Sequence, residues 1–418
     1  MGDLKKKKVI WLVNKHAAPL EYNATNLRTY KLACYLQEFG YDVRIIASSY
    51  VHNRNIELIN NHKGVQEKDY DGVKFIHVKT TSYKRNGLKR IYSLFQFGWK
   101  VFLGREKWEK PDVIIHTSNI PFDIFVLWCA KKMRALYVTE VVDLWPESFV
   151  AFGLLKASNP IMKVFYSLEY YFYKQADRIV FSMEGGKDYI REKKWNIENG
   201  GKIDLNKVYY LNNGVDIKDF EYNLKYYCWD DEDLKRNDVK KVIYLGSIRL
   251  VNNLMALIDA AACLKDDSNI LFLIYGDGEE RERLEKYCID NRIYNVKFKQ
   301  RWIDPKYVPY VLHQSTINIV NYKVNSVERF GGSQNKLFQA LASGRPICSN
   351  VGMGYSIIKY YNVGVDECFN SSVEYSLAIK KLVSLDEKEY NAMCERAIMA
   401  AQDFDLNKLA EKYLKILN

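Results

Sequence analysis

The feature that most restricts the fold is an alternation that runs, breaks off and runs again. Short β-rich apolar runs occur at 7–14 (KKVIWLVN), 42–48 (DVRIIAS), 73–79 (VKFIHVK), 112–117 (DVIIHT), 136–142 (LYVTEVV), 176–182 (ADRIVFS) and 207–211 (KVYYL). Segments of helical period lie between them, at 25–40 (closed by Gly40), 122–133 and 160–175. Residues 212–240 are polar and carry no clear strand, and they read as a linker. Strands are then expected at 241–245, 270–275, 295–298, 316–321 and 346–349, helices at 253–265, 279–290 and 334–343, and a helical tail over 386–418. Strand–helix alternation predicts an α/β chain with parallel sheets covered on both faces. Two successive series predict two doubly wound, Rossmann-like domains, 1–215 and 216–399, whose strand C-terminal ends face a central cleft.

Composition narrows the class. With 48% hydrophobic and 27% charged residues, the 418-residue chain can bury more than one core and does not read as disordered. No run of eighteen apolar residues is free of charge, so no transmembrane helix is expected, and the apolar run after the basic start is too short for a signal peptide. The eight cysteines are scattered without a CxxC pair, which predicts reduced, buried thiols in a cytoplasmic protein, neither disulfides nor a zinc site. The net charge of +11 is uneven: residues 1–110 hold 21 Lys/Arg against 10 Asp/Glu, and the remainder is balanced. An anionic partner for the first quarter is expected, whether membrane surface, phosphorylated acceptor or nucleic acid.

Four segments carry chemistry. In VERFGGSQNKLFQALASGRPI (327–347), Gly331 and Gly332 precede Ser333, which could cap the next helix. Lys336 follows one turn in, and with the helix N–H groups it would form a pocket for phosphate oxygens. Gln339 shares that face and could reach a ribose hydroxyl. The same residues would also make an ordinary capped helix with a Gly-x-Pro stop. In VIYLGSIRLVNNL (242–254), Gly246 lets a diphosphate approach the backbone and Arg249 offers a fork of donors. A plain βα turn with a solvated arginine is the alternative. Gly276-Asp277-Gly278 is a βα turn suited to a nucleotide, though such turns are common. Asp143, in EVVDLWPESF (140–149), ends a strand and could bind sugar hydroxyls or simply make a turn.

Taken in order, DLWPES (143–148), LNNGVD (211–216), Gly-x-x-Arg (246–249), GDG (276–278) and SQNKLFQALASGRPI (333–347) resemble the family 4 retaining glycosyltransferases of the GT-B fold. The likeness spans nearly the whole chain and is nearest to bacterial enzymes that build capsule, O-antigen or exopolysaccharide units. It implies a UDP-sugar donor on the C-terminal domain, an acceptor on the N-terminal domain, no cofactor and no essential metal. The final helix, about 400–418, would return to the first domain. Arg249 and Lys336 would neutralise the departing diphosphate, with Gly246, Ser333, Asn335, Gly276 and Asp277 around the donor. His16, Arg28 and Asp143 would line the acceptor side. Two positions depart from the pattern. Gln339 replaces a ribose-binding acid, and Asn252 stands where a second basic residue is usual.

Residues 83–110 place Leu88, Tyr92, Phe95, Trp99 and Phe102 on one helical face, and Lys89, Ser93, Gln96, Lys100 and Lys107 on another. This is a basic aromatic helix suited to a membrane surface, unless the aromatic face is core packing. The expected reaction is transfer of a hexose or N-acetylhexosamine to a polyprenyl-diphosphate-linked saccharide at the cytoplasmic membrane face. The alternative is a catalytically silent partner subunit. No nucleic-acid-binding motif is recognisable.

Overall fold

Strands form where Val and Ile crowd together, because β-branched side chains pack well on a pleat. The computed structural model describes residues 7–22, 28–60, 63–83, 87–120 and 122–417. Two compact units result: Met1–Asn212 with Leu406–Asn418, and Asn213–Asp405.

The strands of the first unit are β1 (Val9–Val13), β2 (Asp42–Ser48), the small hairpin β3 (Tyr50–Val51) and β4 (Ile56–Glu57), β5 (Val65–Tyr70), β6 (Val73–Val78), β7 (Val113–Thr117), β8 (Leu136–Val141), β9 (Arg178–Phe181) and β10 (Val208–Tyr210). Eight of them form one sheet in the order β10-β9-β8-β7-β1-β2-β6-β5. It is parallel except where β5 pairs with β6. β1 is buried along its whole length, as VIWLV requires. β5 (VQEKDY) has no apolar run to announce it; its exposed charged middle suits an edge strand. The first helix covers Arg28–Glu38; positions 25–27 of the expected helix lie outside the described residues.

The second unit holds β11 (Lys240–Leu245), β12 (Ile270–Tyr275), β13 (Val296–Phe298), β14 (Ile317–Val320), β15 (Ile347–Ser349) and β16 (Gly364–Asp366). They form a parallel sheet in the order β13-β12-β11-β14-β15-β16. Each sheet has a switch point, β1/β7 in the first unit and β11/β14 in the second, where successive connections leave in opposite directions. Ligands of open α/β sheets bind beyond the strand ends at such points.

Two expectations need correction. Residues 212–240 are not a free linker. They hold helix Ile217–Tyr226, capped by Asp216, and a short helix capped by Asp231. Lys297 and Lys299 pair with Asp233 at 2.6 and 2.9 Å, fastening the acidic stretch to the second unit. The helical tail is also two helices, Glu387–Asp403 and Leu406–Leu417. The break is fixed by Val215, whose N–H donates to the Phe404 carbonyl at 3.0 Å, and by Phe404 packing 5.2 Å from Phe338. Leu406–Leu417 then buries Leu409, Ala410 and Tyr413 in the core of the first unit.

All eight cysteines are free, but only Cys129, Cys288 and Cys348 are buried; Cys228, Cys263 and Cys368 are exposed, against expectation. Among the described residues no helix is long and apolar enough to cross a membrane.

Candidate functional site

In the second unit, three sequence-distant segments converge at the β11/β14 switch point. Beyond β11 the chain turns at Gly246 (φ 153°), and beyond β12 at Gly276 (φ 131°). A Cβ on Gly276 would sit 1.8 Å from the Gly246 carbonyl oxygen, so the second turn nests against the first. Hydrogen bonds lock them: Gly246 N–H to the Tyr275 carbonyl at 3.0 Å, and Ile248 N–H to the Asp277 carbonyl at 2.8 Å. The GDG turn thus acts as a support. Asp277 itself pairs with Arg301 at 2.8 Å.

A Cβ on Gly246 would meet Lys336 Cε at 2.1 Å and Nζ at 2.5 Å. The bare glycine is the space through which the lysine reaches. Lys336 Nζ donates to the Tyr244 hydroxyl at 2.6 Å and lies 4.6 Å from that ring's centroid and 5.4 Å from that of Tyr322. Burial first, and the nearby Arg249 second, push its pKa down to about 7. Among the described residues neither Lys336 nor Arg249 has a carboxylate partner. Two cations repel each other here with no built-in counter-ion, which is the electrostatics of a site awaiting an anion.

Helix Asn335–Ala342 starts beside them with Gln334 at its N-cap and no side-chain cap. The sequence suggested Ser333 for that role. Its hydroxyl instead accepts the Asn213 N–H at 2.6 Å, and its carbonyl accepts from Asn213 Nδ2 at 2.8 Å. Ser333 therefore anchors the LNNGVD segment, and the helix's leading N–H groups carry no side-chain cap. Asn335 is exposed at the first helical position, and Gln339 is half-buried one turn past Lys336. The Gln339 side chain makes no hydrogen bond among the described residues. Asn252 explains its own departure from the family pattern. It is buried, and its Oδ1 accepts from the Ser247 hydroxyl at 3.0 Å and the Arg249 N–H at 3.4 Å, shaping the turn that presents Arg249.

In the first unit the three expected acceptor residues have different surroundings. Arg28 is committed internally: its guanidinium donates to Glu140 Oε1 at 2.6 Å and to the Asn212 carbonyl at 2.6 Å. Tyr413 and Thr117 also donate to the Glu140 carboxylate, at 2.6 and 2.7 Å. Burial would raise the Glu140 pKa, but Arg28 and these hydroxyls hold it below the usual range. Arg28 thus joins the first helix, β8 and the C-terminal helix. His16 lies just past β1, its Nε2 buried and without a hydrogen bond among the described residues. Burial, then Lys15, Arg90 and His52, push its pKa down to about 3, so the ring is neutral. Asp143 is exposed just past β8; burial of its surroundings raises its pKa against the pull of Arg90. The sequence reading passed over Lys15 and Arg90. A lysine two residues past a fully buried strand is the available signal for Lys15. Arg90 stands among the many basic residues of 83–110, and nothing local sets it apart.

That helix, Leu88–Gly104, buries Ser93, Leu94, Phe97, Gly98 and Val101. The aromatic stripe is outside: Leu88 is 84% exposed, Tyr92 58%, Phe95 47% and Trp99 43%. Core packing therefore does not account for it. Phe95 and Trp99 meet Phe125 of the neighbouring helix Ile124–Met133, which also exposes Trp128. Lys100 folds back to the Lys79 carbonyl at 2.6 Å, and positions 84–86 lie outside the described residues.

Comparison with known proteins agrees with this architecture. Residues 229–400 match the family model "Glycosyl transferases group 1". Residues 23–199 match "Glycosyl transferase 4-like domain". No curated protein matches the chain. Among solved structures, Anabaena Alr3699/HepE in complex with UDP-glucose is 13% identical with a TM-score of 0.65, over 98% of this chain and 99% of that one. WaaG, a glycosyltransferase involved in lipopolysaccharide biosynthesis, is 14% identical with a TM-score of 0.65 over the same shares. The α,α-trehalose 6-phosphate synthase of Burkholderia multivorans is 11% identical with a TM-score of 0.69, over 98% of both chains. At these identities the likeness is one of fold. Two family models in tandem and two Rossmann-like sheets make this chain a family 4 glycosyltransferase of the GT-B fold.

Proposed function

We propose that the second unit binds a UDP-sugar, of hexose or N-acetylhexosamine type, and that the enzyme transfers the sugar with retention to a polyprenyl-diphosphate-linked saccharide of a bacterial surface polysaccharide. The observation that carries this reading is the Lys336–Arg249 pair, two cations without a carboxylate partner among the described residues, beside a helix start with no side-chain cap. Breaking the glycosidic bond to UDP leaves negative charge on the β-phosphate. Fixed cations and N–H groups aimed there stabilise the transition state by about 3 kcal/mol. Lys336 and Arg249 supply that charge without an essential metal. The uridine donor is favoured by the structural neighbour Alr3699/HepE in complex with UDP-glucose. Retention follows if the acceptor hydroxyl attacks from the face that the diphosphate leaves, its proton passing to the departing phosphate oxygen. Gln339 would contribute an amide to the ribose, and Asn335 a hydrogen bond to the diphosphate. The exposed aromatic stripe of Leu88–Gly104 would rest on the cytoplasmic membrane face, near a lipid-linked acceptor.

Isothermal titration with UDP and GDP, on the parent and on the Arg249→Ala/Lys336→Ala variant, tests the reading. Binding of UDP that is lost in the variant is expected. The uncharged Gln339 also favours a second reading, a non-catalytic partner in a polysaccharide assembly complex. Failure of the parent to bind either nucleotide would move that reading ahead. Any measurable transfer, or hydrolysis of a bound UDP-sugar, would remove it. Transfer that persists in EDTA, with the product anomer read by NMR, checks metal independence and retention.

A further inference from the structure

We propose that the first unit carries a phosphate-binding site at its β1/β7 switch point, built by Lys15 and Arg90 with His16 beside them. Its ligand is a phosphate or diphosphate group on the acceptor. The inference deepens the proposed function and rests on it only for the word acceptor.

Lys15 is 3% exposed, yet it sits at a strand end where ligands of such sheets bind. Its ammonium makes one hydrogen bond among the described residues, to the Tyr83 hydroxyl at 3.5 Å, and lies 4.9 Å from that ring's centroid. No carboxylate pairs with it among the described residues. A buried ammonium held by one long hydrogen bond and a ring face is poorly compensated, and an incoming anion would complete it. The next residue, His16, has its Nε2 buried without a hydrogen-bond partner among the described residues. A neutral imidazole can donate that N–H to a phosphate oxygen. Arg90 is the common neighbour: its charge acts on Lys15, His16, Tyr83 and Asp143. Its guanidinium lies 5.4 Å from the Trp145 ring centroid, and His52 lies 4.6 Å from Tyr83, so aromatic rings wall the cluster. The carboxylate on which the Arg90 charge acts, Asp143, is exposed. Arg90 also lies in the first turn of Leu88–Gly104, a helix with no side-chain N-cap and no acid in that turn. The helix dipole adds to the same positive field.

A soluble sugar phosphate and a membrane-borne polyprenyl diphosphate share this chemistry. Both can be tried on the full chain with Arg249→Ala/Lys336→Ala, which removes the other anion site. The probes are inorganic pyrophosphate, glucose 6-phosphate, and phosphatidylcholine vesicles with and without undecaprenyl diphosphate. Adding Lys15→Met and Arg90→Gln should weaken binding by about tenfold to a hundredfold, the weight of one or two charge-assisted hydrogen bonds. A preference for glucose 6-phosphate or for the loaded vesicles names the source. In the otherwise unaltered chain, Lys15→Met/Arg90→Gln should keep its melting transition and its UDP affinity, which shows that it is folded. Equal binding with and without the Lys15 and Arg90 changes, or no binding of any probe before them, overturns the site. Loss of UDP binding in the parent would instead strike the donor reading and leave this result standing.

Discussion

Arg28 in the first unit and Lys336 in the second are both largely enclosed cations, and their surroundings differ in one respect. Arg28 faces Glu140, itself held by Tyr413 and Thr117. Lys336 faces a hydroxyl, two rings and another cation. Burying a charge is unfavourable unless something of opposite sign answers it. At Arg28 the answer is built into the fold, so the arginine is spent on structure. At Lys336 no carboxylate answers among the described residues, and in the proposed function the donor diphosphate brings the opposite charge. Enclosure alone does not mark a functional cation; enclosure without a counter-charge does.

The comparison can be broken most sharply on the structural side. Glu140→Ala leaves Arg28 enclosed and unpaired, and should lower stability by about 3–5 kcal/mol in urea unfolding. Arg28→Met with Glu140→Leu should recover much of that loss, since an apolar pair of similar volume removes both charges. Lys336→Met should behave in the opposite way. Stability should hold or rise slightly, while UDP affinity by calorimetry falls by about a hundredfold, the weight of a charged hydrogen bond in a shielded site. A large stability loss in Lys336→Met would place that lysine with Arg28.

The sign of the pH response sharpens the contrast. With its pKa down near 7 in the free protein, Lys336 is charged below that value and increasingly neutral above it. A bound diphosphate favours the charged form, so binding takes up a proton above pH 7. Affinity for a UDP-sugar should be flat from pH 6 to 7 and then weaken, by up to about tenfold per unit. Lys336→Met should abolish that slope. The smallest effect is expected at Gln339→Glu, which restores a charged acceptor for a ribose hydroxyl. It should tighten UDP binding by roughly threefold to tenfold, a difference of about 1 kcal/mol. Weaker binding would mean that the glutamine amide is itself what the site uses.

Where the sequence reading stopped short, the cause was partnership across long separations. SQNKLFQ located the helix start, but nothing local told that Ser333 would be taken by Asn213, 120 residues away. The position of Arg28 in its helix was readable, whereas its engagement with Glu140, 112 residues on, was not. Polar segments failed for a related reason. β5 lacks an apolar run and is held by pairing with β6. Helix Ile217–Tyr226 offers only Ile217, Phe220 and Leu224, which pack in one core with Phe404, and the short helix after it is held by Lys297 and Lys299 on Asp233.

By itself, the sequence determined what depends on periodicity and residue type: two alternating α/β series, their principal strands, the bare Gly246 and the helix that carries Lys336. Apolar period and glycine chemistry act within a few residues, so they can be read along the chain. The tertiary structure alone decided which charges found partners, which aromatic face of Leu88–Gly104 stayed outside, and that the tail breaks at Phe404. Those outcomes turn on charge compensation and packing between segments far apart in sequence, and only the folded chain brings such segments together.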